Sequence, residues 1–397
     1  MNDRGIGLYL HVPFCTAKCG YCDFNSYANH EHMIPSYAQT LLKEAALWKP
    51  IVAARPVETV FFGGGTPSLN PVEEMRTILD GLRSTFDVAP NAEISLEANP
   101  GSLGVDYLRG LRDVGFNRLS IGVQSLDDEE LVALDRIHTA KQARDAYAAA
   151  RQAGFDNLNL DFIYGLPEQP LSAWQRTLEE ALAMAPEHLS LYALTVEEGT
   201  PLARDIARGR VVAPDPDAQA EQYEWTEERL AGAGYEHYEI SNWAHPGRAC
   251  VHNLIYWRNR EYLGLGAGAH SYLDGVRFST VLLPNRYTEL VDEAYDGAQD
   301  GRAAMRHVIG AEQITPELAM ADELILGLRL IDGISKPAFA VRFGTDVRTA
   351  YAAIIDEFVG YALLEDTATH LRLTPRGRLL SNELFQRLLP DREEVTA

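Results

Sequence analysis

The chain has 397 residues, 46% of them hydrophobic, and its 35 Lys+Arg against 57 Asp+Glu leave a formal net charge of −22. That length holds one large domain and one or two smaller ones, and the composition excludes disorder and collagen-like repeats. The acidic balance argues against nucleic acid as a partner and against a polybasic anchor, and no apolar run approaches the ~18–20 residues of a membrane-spanning helix.

The first residues, MNDRGIGLYLHVPFC, lack the charged start and long apolar middle of a signal peptide, so the expected location is cytoplasmic, with membrane association at most peripheral. From about residue 6 to about 200, short β-branched and aromatic runs alternate with stretches of helical period. The runs predict strands at 7–12, 58–63, 92–98, 117–123, 157–165 and 188–194, with helices between them at 36–48, 71–86 and 171–185. Near-continuous apolar strands alternating with helices imply a parallel sheet covered by crossover helices. Six such units fall short of the eight of a complete TIM barrel, which leaves an open sheet or an incomplete barrel. Beyond residue 200 the rhythm changes: a loop at 210–219, a helix at 221–234, an aromatic-rich region, and a glycine-spaced stretch, GLGAGAHSY, at 264–272. From about 310 the pattern is mostly helical, and residues 362–389 read as strand, turn, strand, helix in the manner of a winged helix. With few basic residues there, a structural or docking role comes ahead of DNA binding.

Four cysteines are too few for a disulfide scaffold, and three of them, Cys15, Cys19 and Cys22, stand at C-x₃-C-x₂-C directly after the first strand. Three thiolates on one loop suit a [4Fe–4S] cluster with one iron open to another ligand, or a zinc ion completed by His11; reduced cysteines without metal are the third alternative. After the second strand, FFGGGTPS (61–68) brings glycines that let backbone approach a ligand.

The cysteine motif at the end of the first strand of a βα domain, with an aromatic before its last cysteine, resembles the radical S-adenosylmethionine (SAM) superfamily, and GGGTP resembles its coproporphyrinogen-oxidase-like branch. The resemblance implies an incomplete (βα)6 TIM-like barrel over 1–235, a heme-binding and connecting region that contains HNLIYW over 236–305, and a mainly helical, winged-helix-like domain over 306–397. It also implies a [4Fe–4S] cluster on the three cysteines, whose open iron chelates SAM. Tyr9, Gly64, Gly65, Thr66, Glu97, Gln124, Arg136 and Asp161 match the residues that this branch uses around SAM.

Two members of the branch share this core: the oxygen-independent coproporphyrinogen III dehydrogenases and a heme chaperone family. The dehydrogenase motif continues to a fourth cysteine where this chain has Phe24, and the early first strand leaves no room for the dehydrogenase's N-terminal extension. The chain carries HNLIYW (252–257), similar to the HNxxYW motif of the heme chaperone family. His252 offers an axial ligand for heme iron, and Tyr256 and Trp257 offer flat faces for the macrocycle; Cys250 and His270 are further donors nearby. The expectation is a heme chaperone without coproporphyrinogen III dehydrogenase activity, which hands heme to apo-hemoproteins of the respiratory chain; the sequence leaves monomer and homodimer both open. A DNA-binding regulator with a cluster as sensor is the reading from another class, and the net charge speaks against it.

Overall fold

The computed structural model describes residues 5–52, 55–297 and 305–390. All six expected strands form: β1 (Ile6–Val12), β2 (Pro56–Gly64), β3 (Asp87–Ala98), β4 (Arg118–Gln124), β5 (Leu158–Tyr164) and β6 (His188–Ala193). They lie side by side in chain order, each parallel to the next. Successive side chains of a strand point to opposite faces, and laterally paired residues share a face. Leu8, Leu10, Phe62, Leu96, Leu119, Leu160 and Leu189 are therefore buried together under the helices. The register aligns Tyr9, Phe61 and Ser95, then Glu97, Ser120 and Asn159, on the inner face of the curved sheet.

The outer layer includes α1 (Ile34–Val52), α2 (Val72–Thr85), α3 (Val105–Val114), α4 (Asp128–Ala133), α5 (Ala140–Gln152) and α6 (Leu171–Met184). In α2 the apolar stripe Met75, Ile78, Leu79 and Leu82 is buried, with Glu73 and Glu74 in the first turn where the helix dipole favours them. Thr139 and Gln142 close a capping box at the start of α5.

Beyond α7 (Pro201–Ala207) and α8 (Pro216–Gly232), the sheet does not stop. On the β6 side it gains β7 (Glu236–Glu239) and β8 (Asn242–Ala244), antiparallel; on the β1 side it gains β9 (Tyr262–Leu265), parallel to β1, and then β10 (His270–Leu273), β11 (Val276–Thr280) and β12 (Val308–Gln313). The region expected to connect two domains thus extends the barrel wall, and β12 carries that wall past the expected boundary at 305/306. HNLIYW forms a short helix, α9 (Val251–Trp257), whose first amides donate to the Glu93 carboxylate of β3. α10 (Pro284–Asp296) packs on α1.

The C-terminal module comprises α11 (Pro316–Gly327), α12 (Lys336–Phe343), α13 (Val347–Gly360), α14 (Pro375–Leu379) and α15 (Ser381–Leu388) around a three-stranded sheet of β13 (Ile334–Ser335), β14 (Leu364–Asp366) and β15 (His370–Leu373). Leu324, Phe339, Val347, Ile355, Phe358 and Leu371 form its separate core, and the strand, turn, strand and helix expected over 362–389 form as β14, β15, α14 and α15. Among the described residues no helix is long and apolar enough to cross a membrane.

Candidate functional site

The three cysteines follow β1 on a loop pinned by a two-residue parallel pairing of Phe14–Cys15 with Tyr27–Ala28. They line one cavity of about 370 Å³ together with Gly64, Gly65, Thr66, Glu97, Gln124, Arg136 and Asp161. Gly64, Gly65, Thr66, Glu97 and Gln124 stand at the C-terminal ends of β2 to β4, which parallel strands present on one side; Asp161 stands in the middle of β5 and Arg136 on the loop after α4. The Thr66 hydroxyl donates to Cys15 Sγ at 3.5 Å, and Arg136 Nη1 donates to Cys19 Sγ at 3.4 Å while Nη2 donates to the Gly122 carbonyl at 2.9 Å. Burial pushes the Cys15 and Cys22 thiols up, so a metal must displace their protons.

Gly64 has φ 108°, and a Cβ there would lie 2.4 Å from the His11 ring, so only glycine allows the backbone N–H to donate to Glu97 Oε2 at 3.1 Å. Burial, then the nearby Asp161 carboxylate, raises Glu97 to about 7, which poises it to accept a cationic group. Asp161 accepts from Ser120 Oγ at 2.8 Å and Asn159 Nδ2 at 2.7 Å. Gln124 sits in the left-handed region at φ 64°, an unusual conformation for a side-chain-bearing residue at the mouth of a sheet.

Three thiols on one loop, with hydrogen-bond donors to two of their sulfurs, fit a three-thiolate cluster; among the described residues no group of three His, Cys, Asp or Glu side chains is set to hold a single ion. His11, the expected completion of a zinc site, has Nδ1 at 3.0 Å from the Tyr9 hydroxyl and Nε2 at 2.9 Å from the Asn25 carbonyl, and does not line the cysteine cavity.

A second cavity of about 670 Å³ adjoins the first and shares Phe24, Gly64 and Glu97 with it. Tyr9, expected beside SAM, lines this larger cavity and not the cysteine cavity. Tyr256, Trp257, Tyr262, Tyr272 and His270 line it, closed on another side by Asp322, Ile325 and Leu326 of α11. Tyr256 and Tyr262 meet edge to face at 4.6 Å, and the Arg329 guanidinium covers Trp257 at 4.4 Å.

His252 does not line that cavity. It is 1% exposed, with Nδ1 at 2.7 Å from the Thr59 hydroxyl and Nε2 at 2.8 Å from the Tyr256 hydroxyl. Burial, then the charge of Arg118, lowers it to about 3, so it is a neutral ring with both nitrogens engaged. The imidazole expected to be open to iron is instead a buried strut under Tyr256. Cys250 is also buried and its thiol is pushed up to about 12 by burial.

Ser120 and Tyr192, which line the cysteine cavity, escaped the sequence reading. Period-two alternation from Gln124 and Asp161 points to Ser120, but Tyr192 required the register of β6 against β5.

The radical SAM superfamily model matches residues 9–181 and the HemN C-terminal domain model matches residues 314–380. The heme chaperone HemW of Mycobacterium tuberculosis is 38% identical over 392 residues, covering 98% of this chain and 96% of that protein. The heme chaperone HemW of Escherichia coli is 34% identical over 390 residues, covering 97% and 98%. The solved structure of the radical SAM enzyme coproporphyrinogen III oxidase (HemN) from Escherichia coli superposes with a TM-score of 0.83 over 97% of this chain and 90% of that one; at 23% identity this concerns the fold. Barrel, cysteine loop and C-terminal module together define a protein of the radical SAM class. Within that class, the chain belongs to the heme chaperone HemW family.

Proposed function

We propose that this protein carries a [4Fe–4S] cluster on Cys15, Cys19 and Cys22 with SAM at the fourth iron, holds heme as cargo in the adjoining aromatic cavity, and passes it to apo-hemoproteins such as those of the respiratory chain. The observation that carries this reading is the pair of cavities with a common wall, one lined by the three thiols and the other by aromatic rings.

When bound, the cluster supplies an open iron and an electron of low potential. The chain's own residues do the remaining work. Thr66 and Arg136 donate hydrogen bonds to the sulfurs of Cys15 and Cys19 and so fix where those sulfurs lie. Glu97, Gln124 and Asp161 offer acceptors to a ligand with an amino group and hydroxyls, and Gly64 and Gly65 let backbone come close to it. Tyr256 and Trp257 take part in heme binding as flat surfaces, while His252 fixes the Tyr256 hydroxyl. The C-terminal module contributes α11 as one wall, and the net charge of −22 favours action in the cytoplasm with membrane association at most peripheral.

The test offers heme and coproporphyrinogen III in parallel to anaerobically reconstituted protein. Heme binding without formation of protoporphyrinogen IX is expected; formation of protoporphyrinogen IX with SAM and a reductant overturns the chaperone reading in favour of the dehydrogenase. Iron and acid-labile sulfide are counted in the same preparation, and each Cys→Ala variant should lose most of both. One zinc per chain and no labile sulfide in the wild type sinks the cluster.

A further inference from the structure

The end of β4 is distorted where it meets the cysteine cavity. Gly122 pairs with Asp161 of β5 and Gln124 with Phe162, so β4 holds one residue more than its partner over that step, which is a bulge. Gln124 then sits at φ 64°, and the Ser125 amide donates back to the Val123 carbonyl at 2.9 Å. A three-residue turn closed around a positive φ is the rare, strained form of the γ-turn, and here its centre carries a side chain. Phe162, the lateral partner of Gln124, is buried under the helices. The turn re-aims Gln124 at the cavity instead. Its amide lies back over Gly122, where a Cβ would come within 3.0 Å of Gln124 Nε2, and both residues line the cavity.

Strain of this kind persists only where the surroundings hold it. Glu130 of α4 accepts from the Ser125 hydroxyl, and the loop after α4 supplies Arg136 to the Gly122 carbonyl at 2.9 Å and His138 to the Val123 carbonyl, with Nε2 at 3.0 Å. His138 is buried and is not among the residues that line the cavity. A carbonyl can only accept, so Nε2 carries the proton, and Nδ1 has no partner among the described residues. Burial, then the charge of Arg136, lowers the ring to about 4, so the imidazole is neutral at pH 7. Arg136 also serves Cys19. His138 has the turn alone.

Resting on the reading of SAM as the ligand of the cluster, we propose that His138 is a positioning residue of the SAM site: by holding the Val123 carbonyl it keeps the strained turn closed and presents the Gln124 amide to SAM. A side chain fixed before its ligand arrives loses little freedom on binding, which is where the gain in affinity comes from. The backbone strain at Gln124 is thereby given a use, and the bulge in β4 a reason.

The experiment measures equilibrium binding of SAM to the full-length protein loaded anaerobically with its cluster, with iron and labile sulfide counted in each preparation. His138→Leu fills the space without a donor; it should keep the cluster and bind SAM about tenfold more weakly. His138→Gln brings an amide N–H to the same depth and should restore binding to within about twofold of wild type. Gln124→Gly removes the amide and relaxes the turn, so it should weaken SAM binding while raising the melting temperature. Adding His138→Leu to Gln124→Gly should cost no further affinity, because the histidine acts through the glutamine. Equal weakening by His138→Leu in the wild-type and Gln124→Gly backgrounds overturns the positioning role, as does wild-type affinity in His138→Leu. A His138→Gln variant that keeps its cluster and still binds SAM weakly overturns it too, and this arm decides if His138→Leu does not fold. Full iron and sulfide in the wild type with no SAM bound overturns the SAM reading itself.

Discussion

His252 shows how one buried ring can carry a pH dependence. Its folded-state value near 3 lies below the ordinary 6.5 of histidine, so the unfolded chain binds the proton more readily. The neutral ring's contribution is complete above about pH 6.5 and is lost as pH falls toward 3, at about 1.4 kcal/mol per pH unit. His252→Gln removes this titration. At pH 7 the variant should be less stable than wild type in urea melts, by about 1–3 kcal/mol for disturbed buried hydrogen bonds. At pH 5 the gap should narrow by about 2 kcal/mol, because only the wild type has had to protonate or keep out a proton there; a gap that is constant from pH 7 to pH 5 contradicts the assigned environment. The same residue marks the limit of sequence reading. Cys15, Cys19 and Cys22 were legible because spacing along eight residues of loop decides whether thiols can meet. The state of His252 was not, since its partner Thr59 lies 193 residues away and its exposure depends on which way α9 turns. His270 was visible as a candidate, but only the alternation of β10 and its pairing with β9 show which face it occupies.

Among the elements, the six barrel strands were legible because each is an apolar run buried against helices, as Leu8, Leu10 and Val12 are in β1. The later strands were not. β7 (EHYE), β8 (NWA) and β10 (HSYL) are three or four residues long, and β10 alternates between a cavity and the core, so neither length nor hydrophobicity sets them apart from loop. β9 is held to β1 by its backbone ladder, and the turn between β9 and β10 is tied to the cysteine loop by one side chain: Asn25 donates from Nδ2 to the carbonyls of Ala267 and Leu282, and accepts from the Tyr27 hydroxyl at 2.9 Å. Asn25→Ala should cost about 1–3 kcal/mol by stranding these groups. It should also speed amide hydrogen exchange at Gly266, Ala267 and Gly268 selectively, leaving β4 and β5 protected. Uniform acceleration across the barrel would show that Asn25 supports the whole sheet and not the local joint.

At the scale of the molecule, two cores meet across a small polar seam. Arg378 of α14 pairs with Glu227 of α8, which also lies 3.0 Å from His237 Nδ1, and the Arg378 side chain is 10% exposed. Burial raises the Glu227 carboxyl, and the His237 hydrogen bond and the Arg378 guanidinium outweigh it and hold the carboxyl below the usual range. Removing one member of a buried pair strands the other, so Glu227→Gln should destabilise by about 3 kcal/mol or more. The loss should appear in calorimetry as an earlier, separate transition of the C-terminal module, with the barrel melting near its original temperature. A single unsplit transition would mean that the two cores unfold as one. The same module supplies Ile325 and Leu326 to the larger cavity, so loosening it should weaken heme retention before it affects cluster content. Finally, Phe24, Gly64 and Glu97 border both cavities, and a wall with two sides makes the occupants answer to each other. Whatever factor SAM contributes to the affinity for heme, heme must return to the affinity for SAM, because the free energies around the four-state cycle sum to zero. On the proposed occupancy, any coupling between loading and release would pass across one phenylalanine, one glycine and one glutamate, and a single free energy would describe both directions.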